Sequence, residues 1–195
     1  MINMETKQQI RKRHLKERNA LTMERTNQNS RFICQNLKRF FEQDKSILRH
    51  GVFGYYPLGK EASLILLYEW LLNEGVLLAF PKTSNGTMDF YQVSSMDDFT
   101  EGAYHIMEPS DHCRAVESDE ACCLVPGSVF DRSGGRFGYG KGYYDRYFSL
   151  HNRMRRIGVA YESQVEDEIP TESYDVGMQM LATEQTIYMF SSEGG

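Results

Sequence analysis

The sequence lacks any run of apolar residues that approaches the ~18 needed to cross a membrane. Its beginning, MINMETKQQIRKRHLKERN, also lacks the apolar core of a leader peptide. The formal net charge of −5 provides no overall positive field for nucleic acid or an anionic membrane surface. We therefore expect a cytoplasmic protein without a membrane or nucleic-acid partner, in which any anion-binding site is local.

Cysteine is scarce and is not arranged for metal binding. The four cysteines, Cys34, Cys113, Cys122 and Cys123, show no CxxC spacing, and two of them are adjacent, which suits neither a disulfide framework nor a zinc site. We expect buried, reduced thiols instead. The chain also lacks internal repeats, and 195 residues with 41% hydrophobic content suit one core. We expect residues 1–195 to form a single domain that acts as a monomer.

Glycine and proline are absent from residues 5–43, where apolar residues recur at helical spacing. This pattern predicts a basic helical N-terminal segment of two helices, with a break near Leu21 and Thr22, because Thr22 can cap the second helix. Lys7 and Arg11 are four residues apart, so they share a helical face and can converge on one polyphosphate. The alternative is a solvated basic face, to which other cations contribute: Lys12, Arg13, Lys16 and Arg18.

Short apolar runs alternate with helical patterns along the rest of the chain. Strands are predicted at residues 51–57, 76–81, 88–93, 121–126, 156–161 and 185–190, and helices at residues 62–73 and 141–150. The alternation at residues 88–93 is typical of an edge strand. Such alternation predicts an α/β fold, Rossmann-like, with a three-layer architecture in which helices cover both faces of a mainly parallel open sheet. A polar insert, residues 94–118, is where we expect substrate-contacting loops.

A glycine-rich stretch, SGGRFGYGKGYYD at residues 133–145, lies between a predicted buried strand and a predicted helix. Ligands bind at this end of strands in open α/β sheets, and a helix N-terminus attracts phosphate. Arg136 and Lys141 add positive charge. The P-loop pattern fails because Gly142 stands where Ser or Thr is required, and the dinucleotide pattern G-x-G-x-x-G is absent. The stretch favours a phosphate site over the alternative, a flexible surface loop.

The segment PGSVFDRSGGRFGYGKGYYD, residues 126–145, closely resembles the signature of the 5-formyltetrahydrofolate cyclo-ligase family, also called methenyltetrahydrofolate synthetases. A weaker resemblance extends over nearly the whole chain. It implies an enzyme that uses MgATP to close 5-formyltetrahydrofolate to 5,10-methenyltetrahydrofolate, and that releases ADP and phosphate. It further implies a phosphorylated formyl intermediate, so that the protein needs no covalent nucleophile.

The resemblance implies site residues for each ligand. ATP is assigned to Lys7, Arg11, Arg136, Phe137, Gly138, Tyr139, Gly140, Lys141, Gly142, Tyr143 and Tyr144. The folate is assigned to Tyr56, Glu61, Tyr139, Gly140, Lys141, Gly142 and Tyr143. Magnesium is assigned to Asp145 and Asp175, and catalysis to Lys141 and Arg136.

These residue types suit the implied ligands. A magnesium ion that bridges phosphates takes one or two carboxylates, and a carboxylate such as Glu61 can accept hydrogen bonds from the pterin. The alternative for Glu61 is an acid in the first turn of the next helix, which the helix dipole favours.

The chain departs from the family pattern at three places. Tyr139 stands where the family often has Arg, so we expect one ligand-facing cation either to be absent or to be supplied elsewhere, with Arg132 and Lys82 as candidates. Ala-Ser-Leu follows Glu61 in place of the usual acid and threonine, and Gln179 replaces an acid found in many relatives.

Two other functions stay open from the sequence. A small-molecule kinase on the same scaffold would bind ATP but phosphorylate another acceptor. A noncatalytic RNA-binding homologue would use the basic N-terminal helix, although the acidic remainder and the lack of an RNA-binding module argue against it.

Overall fold

The computed structural model describes residues 5–102 and 106–190. Its helices are α1 (Lys7–Ala20), α2 (Met23–Gln43), α3 (Ile65–Asn73) and α4 (Tyr143–Leu150). The predicted break at Leu21 and Thr22 is confirmed, because Thr22 caps α2 by accepting a hydrogen bond from the Arg25 N–H. Thr6 caps α1 in a capping box with Gln9.

Within these described ranges the strands form one large sheet and two small ones. In chain order they are β1 (Val52–Phe53), β2 (Leu78–Ser84), β3 (Thr87–Val93), β4 (Phe99–Glu101), β5 (Met107–Pro109), β6 (Ala115–Val116), β7 (Cys122–Pro126), β8 (Val129–Asp131), β9 (Arg136–Phe137), β10 (Arg155–Val159), β11 (Val165–Glu166), β12 (Met180–Ala182) and β13 (Ile187–Met189). The large sheet has the order β13-β12-β10-β7-β1-β2-β3-β6. Its central strands, from β12 to β2, are parallel to their neighbours, and antiparallel strands flank them.

Successive residues of the central strands face opposite layers. In β7, Cys122 and Leu124 pack into the cluster that contains residues of α2 and α3, whereas Cys123 and Val125 pack into the cluster that contains residues of α4. Both faces of the sheet are therefore covered, which is why β7 consists entirely of buried residues. The predicted three-layer, mainly parallel α/β fold is confirmed. All four cysteines are buried and free, as expected.

Several strand predictions need correction. The strand predicted at residues 51–57 ends at Phe53, because the Tyr55 N–H bonds to the Tyr68 hydroxyl and leaves the ladder. The strand predicted to end at Pro81 continues to Ser84. Pro81 is tolerated within β2 because β1 pairs only with Leu78 and Ala79. On the β1 side of the sheet, Pro81 therefore has no partner strand that would need its missing N–H.

Other differences concern short elements. The strand predicted at residues 88–93 is not the sheet edge, because β6 pairs beyond it. Strand β12, with three residues, was missed. The predicted helices begin later, at Ile65 and Tyr143. The insert at residues 94–118 contains β4, β5 and β6, and its residues 103–105 lie outside the described part. No helix among the described residues has the length and apolar content to cross a membrane.

Candidate active site

A cleft of about 1030 Å³ opens at the carboxyl end of β7. Pro126, the last residue of this strand, lies in its wall, and Pro81 and Thr83 of β2 face it from the side. The structure brings the predicted nucleotide and metal residues together here: Lys7, Arg11, Arg136, Phe137, Gly138, Tyr139, Gly140, Lys141, Gly142, Tyr143, Tyr144, Asp145 and Asp175 all line the cleft. The position agrees with the rule that ligands bind at the carboxyl ends of strands in open α/β sheets.

The first part of the glycine-rich stretch is ordered as a hairpin, where the sequence predicted only a loop. Strands β8 and β9 pair antiparallel, with Asp131 at the turn. The buried Asp131 carboxylate accepts hydrogen bonds from the N–H groups of Gly135 (2.7 Å), Ser133 (2.8 Å) and Ile169 (3.0 Å). This buried, fully bonded carboxylate fixes the turn and thereby the direction in which Arg136 enters the cleft.

Beyond the hairpin, glycine permits the backbone to bend around the cleft. Gly140 and Gly142 have φ of 85° and 64°, in the left-handed region where side chains with a Cβ are strained. Gly142 is also the N-cap of α4 and offers no side-chain hydrogen bond to the helix. Within the described part of the chain, no N-cap side chain bonds to the N–H groups of the first turn of α4, whose residues Tyr143, Tyr144 and Asp145 line the cleft, so an anion is favoured there.

Helix α1 supplies the opposite wall. Ile10 docks the helix by packing with Val129 and Phe137. The spacing of four places Lys7 and Arg11 on the cleft side, as predicted. The Arg11 Nε donates to the carbonyl oxygen of Gly138 at 2.8 Å, and the Lys7 Nζ lies 5.5 Å from the Phe137 ring centroid. Residues of α1 and the glycine-rich stretch therefore hold each other in place.

The two predicted metal carboxylates are each paired with a cation. Both oxygens of Asp145 accept from the Arg136 Nη2, at 3.3 and 3.2 Å, and its Oδ1 accepts from the Val176 N–H at 3.2 Å. Asp175 accepts from the Lys7 Nζ at 2.6 Å. Burial lowers the pKa of Lys7, but hydrogen bonds to Asp175 and Glu172 outweigh it, so that the net pKa is raised.

Carboxylate oxygens are the ligands that magnesium prefers, and both aspartates already attract positive charge, so this donor set fits Mg²⁺. Among the described residues, the group of three side chains best placed for another kind of metal is Asp98, His112 and Cys113, and none of these lines the cleft.

The Lys141 ammonium has no hydrogen-bond or ion-pair partner in the part of the chain that the structure describes. Arg136 differs, because it is buried, donates to the Pro126 carbonyl oxygen and pairs with Asp145. Among the described residues of the cleft, Lys141 is thus a cation whose ammonium is free to approach an anion.

The predicted folate residues Tyr56 and Glu61 do not line the cleft itself. Tyr56 packs against Phe99, with ring centroids 4.9 Å apart. Glu61 is 7% exposed and is connected to the cleft through Tyr139, whose hydroxyl donates to its Oε1. Burial raises the pKa of the Glu61 carboxyl, against hydrogen bonds from Tyr139 and Leu58.

A cation beside Tyr139 is Arg18, which the sequence offered only as a contributor to the alternative, a solvated basic face. Arg18 is 5% exposed, and its Nη1 donates to the Tyr139 hydroxyl at 2.8 Å. The two cations named from the sequence do not line the cleft: Arg132 pairs with Glu162 and Asp167, and Lys82 pairs with Asp111. Arg18 follows Lys7 by eleven residues, close to three helical turns, so helical spacing could have identified it.

Other residues of the cleft were not predicted. Glu172, Tyr174 and Arg146 line it, and Glu172 lies 3.2 Å from the Lys7 Nζ. From the insert, Ile106 reaches the wall. Gln179 lies elsewhere, where its side-chain oxygen accepts from the Arg156 N–H.

Comparison with known proteins places this geometry in a family. A model of the 5-formyltetrahydrofolate cyclo-ligase family matches residues 3–184. A probable 5-formyltetrahydrofolate cyclo-ligase of Schizosaccharomyces pombe is 30% identical over 145 residues, which are 66% of this chain and 71% of the relative. A 5-formyltetrahydrofolate cyclo-ligase of Mycolicibacterium smegmatis is 30% identical over 142 residues, 68% and 72% of the two chains.

Solved structures agree with the sequence comparison. The 5,10-methenyltetrahydrofolate synthetase of Aquifex aeolicus has a TM-score of 0.81 and 32% identity, and the match covers 96% of this chain and 94% of that one. The synthetase of Mycoplasma pneumoniae has a TM-score of 0.76 at 23% identity, covering 92% and 99%, which supports the fold alone. The chain therefore belongs to the 5-formyltetrahydrofolate cyclo-ligase family of enzymes.

Proposed function

We propose that the protein converts 5-formyltetrahydrofolate to 5,10-methenyltetrahydrofolate, with hydrolysis of ATP to ADP and phosphate and a requirement for Mg²⁺. The observation that carries the proposal is the cleft in which the glycine run, the cations of α1 and two carboxylates meet. The relatives named above carry this activity in their names. A phosphate-binding backbone beside a carboxylate pair suits a nucleotide-dependent reaction.

ATP would bind between α1 and the glycine run. Lys7 and Arg11 extend from one wall and Lys141 from the other, so that a polyphosphate between them meets positive charge on both sides. The N-terminus of α4 adds N–H donors at the same place. Phe137, Tyr143 and Tyr144 also line the cleft and offer ring faces to the adenine.

Asp145 and Asp175 would hold the magnesium ion. The ion, when bound there, would neutralise the negative charge of the phosphates. The residues that now pair with these carboxylates, Arg136 and Lys7, would then contribute their positive charge to the phosphates as well. On binding of MgATP, the ion pairs Arg136–Asp145 and Lys7–Asp175 would thus be replaced by contacts of the carboxylates with magnesium and of the cations with the phosphates.

The chemistry follows from the poor leaving group in the substrate. The formyl oxygen on N5 attacks the γ-phosphorus, and ADP leaves. N10 then attacks the formyl carbon and loses its proton, the carbon–oxygen bond breaks, and phosphate carries the former formyl oxygen away. Such phosphoryl transfer depends on positioning and charge neutralisation, for which we assign Lys141 to the transferring group and Arg136 to the support of Asp145.

The folate would enter beside Tyr139, where Glu61 offers the acceptor for pterin N–H groups. Backbone around Gly140 and Gly142 and the Tyr143 ring would form the part of the wall that both ligands share. Tyr56, held against Phe99, would bound the far side.

A product assay tests the proposal. Purified protein is mixed with 5-formyltetrahydrofolate and MgATP, and methenyl product is followed by absorbance together with phosphate release, each component being omitted in turn. We expect one phosphate per product and no product without ATP or Mg²⁺. Lys7→Ala should lower turnover, whereas Lys12→Ala, an exposed cation of the same helix, should not. ATP binding with no product would refute the activity and favour the small-molecule kinase.

We further propose that all 195 residues act as one unit, as a monomer in the cytoplasm, with small molecules as its only partners. The basic helix is not free for RNA along its whole length, because Lys7, Arg13 and Arg18 contact acids or Tyr139 inside the protein.

A further inference from the structure

The Tyr139 hydroxyl lies between a buried carboxylate and a buried guanidinium. It donates to the Glu61 Oε1 and accepts from the Arg18 Nη1. The Arg18 Nη1 and the Glu61 Oε1 are 3.9 Å apart, so the two charged groups are neighbours that the hydroxyl connects. Their side chains are 6% and 5% exposed, respectively, yet Tyr139 itself is 41% exposed.

This arrangement is less complete than an ordinary buried ion pair. The Arg18 Nε is buried and has no hydrogen-bond partner among the described residues. Buried charges are normally paired directly and hydrogen-bonded fully, because desolvation costs more than an incomplete pair returns. The Glu61 Oε2 accepts from the Leu58 N–H at 2.8 Å, so the Tyr139 hydroxyl alone, with one donor and one acceptor in use, connects the Glu61 Oε1 with the Arg18 Nη1, and a larger polar group can take its place.

Tyr139 is also in a position to leave. Its neighbours are Gly138 and Gly140, and the latter has φ of 85°. The ring lies at the cleft, so rotation of the side chain would move the hydroxyl into solvent and expose Glu61 and Arg18 to a ligand.

We propose that Arg18 and Glu61 together bind the lactam edge of the pterin ring, and that the Tyr139 hydroxyl holds this place until the folate displaces it. The lactam presents an N–H donor at N3 beside an oxygen acceptor at C4, which is the donor and acceptor pair that the hydroxyl supplies. Glu61 accepts from N3 and Arg18 donates to the 4-oxo oxygen. The inference rests on the proposed function and adds Arg18 as a specificity-determining residue.

The arrangement selects against 4-amino pteridines. In a 2,4-diaminopteridine, N3 is an acceptor and the group at C4 is a donor, so that the lone pair of N3 would face Glu61 and the amino group would face Arg18. One contact then places two acceptors together and the other places two donors together inside a buried site, so the site rejects the analogue strongly.

Equilibrium binding without nucleotide tests the inference. We expect the wild type to prefer 5-formyltetrahydrofolate over its 4-amino counterpart. Arg18→Leu should weaken binding of the 4-oxo ligand by about 10- to 100-fold, as loss of a charged hydrogen bond implies, and leave the 4-amino ligand little changed. Lys16→Leu, at an exposed position of the same helix, is the matched control and should match the wild type.

Tyr139→Phe is the second variant, because it leaves both charged groups in place. We expect it to bind the 4-oxo folate several-fold more tightly than the wild type, since no hydroxyl competes for the site. The melting temperature and MgATP binding show whether Arg18→Leu folds. If it does not, the test rests on Tyr139→Phe and on Arg18→Lys, which should retain part of the preference for the 4-oxo ligand over the 4-amino ligand.

The failures are distinguishable. A wild type that binds neither ligand would overturn the proposed function together with this inference. If the wild type binds the 4-oxo ligand, three results would overturn only the inference. They are an Arg18→Leu variant that binds this ligand as the wild type does, an Arg18→Leu variant that binds both ligands more weakly by the same factor, and a Tyr139→Phe variant that binds the 4-oxo ligand no more tightly than the wild type.

Discussion

Replacing Asp145 by Asn should destabilise the protein and abolish its response to MgATP. Asp145 accepts from Arg136, which is 6% exposed and whose Nε has no partner among the described residues. Asn keeps one acceptor but removes the charge that balances this guanidinium. Loss of a charged hydrogen bond of this kind costs about 2 kcal/mol. For a chain of this size that lowers the melting temperature by about 4–8 °C.

Asp175→Asn provides the comparison. Its partner Lys7 has a side chain that is 25% exposed, so solvent screens the pair and the expected cost is below about 1 kcal/mol. The melting temperature should therefore fall by no more than about 2–4 °C. In both variants, saturating MgATP should no longer raise the melting temperature as it does in the wild type.

Thermal unfolding of the three proteins, with and without MgATP, measures both effects. The reasoning is refuted if Asp145→Asn melts no lower than Asp175→Asn, or if MgATP stabilises either variant as much as the wild type.

Three further predictions concern separate positions. Burial raises the pKa of Glu61 above its ordinary value of 4.5, so this carboxyl holds its proton more tightly in the native protein than in the unfolded chain. As pH rises from 4.5 through the raised native pKa, the stability of the wild type should therefore fall relative to that of Glu61→Gln, which melting curves of the two proteins at several pH values check. Lys141→Ala should leave the melting temperature unchanged and lower kcat by about 100-fold, and equal turnover would remove Lys141 from catalysis. Gly158→Ala should lower the melting temperature, since its Cβ would lie 2.5 Å from the Phe130 ring and overpacking costs about 1–3 kcal/mol; an unchanged value would show that the ring can move.

Local patterns were sufficient to predict much of the fold. The absence of glycine and proline indicated α1 and α2, and the apolar run at residues 121–126 indicated β7, because each signal lies within one element. Strand β12 escaped because three residues give no measurable alternation. The hairpin of β8 and β9 was not predicted because the Asp131 side chain fixes its turn. The number of glycines does not show from which N–H groups this carboxylate accepts hydrogen bonds.

The candidate site divides in the same way. The glycine run and the pair Lys7 and Arg11 could be identified because their spacing is local. The meeting of Arg18, Glu61 and Tyr139 could not, since these residues are far apart in sequence and a hydrogen bond between distant elements leaves no periodic pattern. Helical spacing from Lys7 pointed to the face of α1 on which Arg18 lies, but it could not show that Tyr139, far along the chain, covers this side chain.

The most direct test of the account follows the formyl oxygen. If ATP activates the substrate as proposed, 5-formyltetrahydrofolate labelled with ¹⁸O in the formyl group should transfer its label to the released phosphate, one labelled oxygen per methenyl product, as measured by mass spectrometry. Unlabelled phosphate accompanying methenyl product would contradict the phosphorylated intermediate, and with it the role assigned to the cleft.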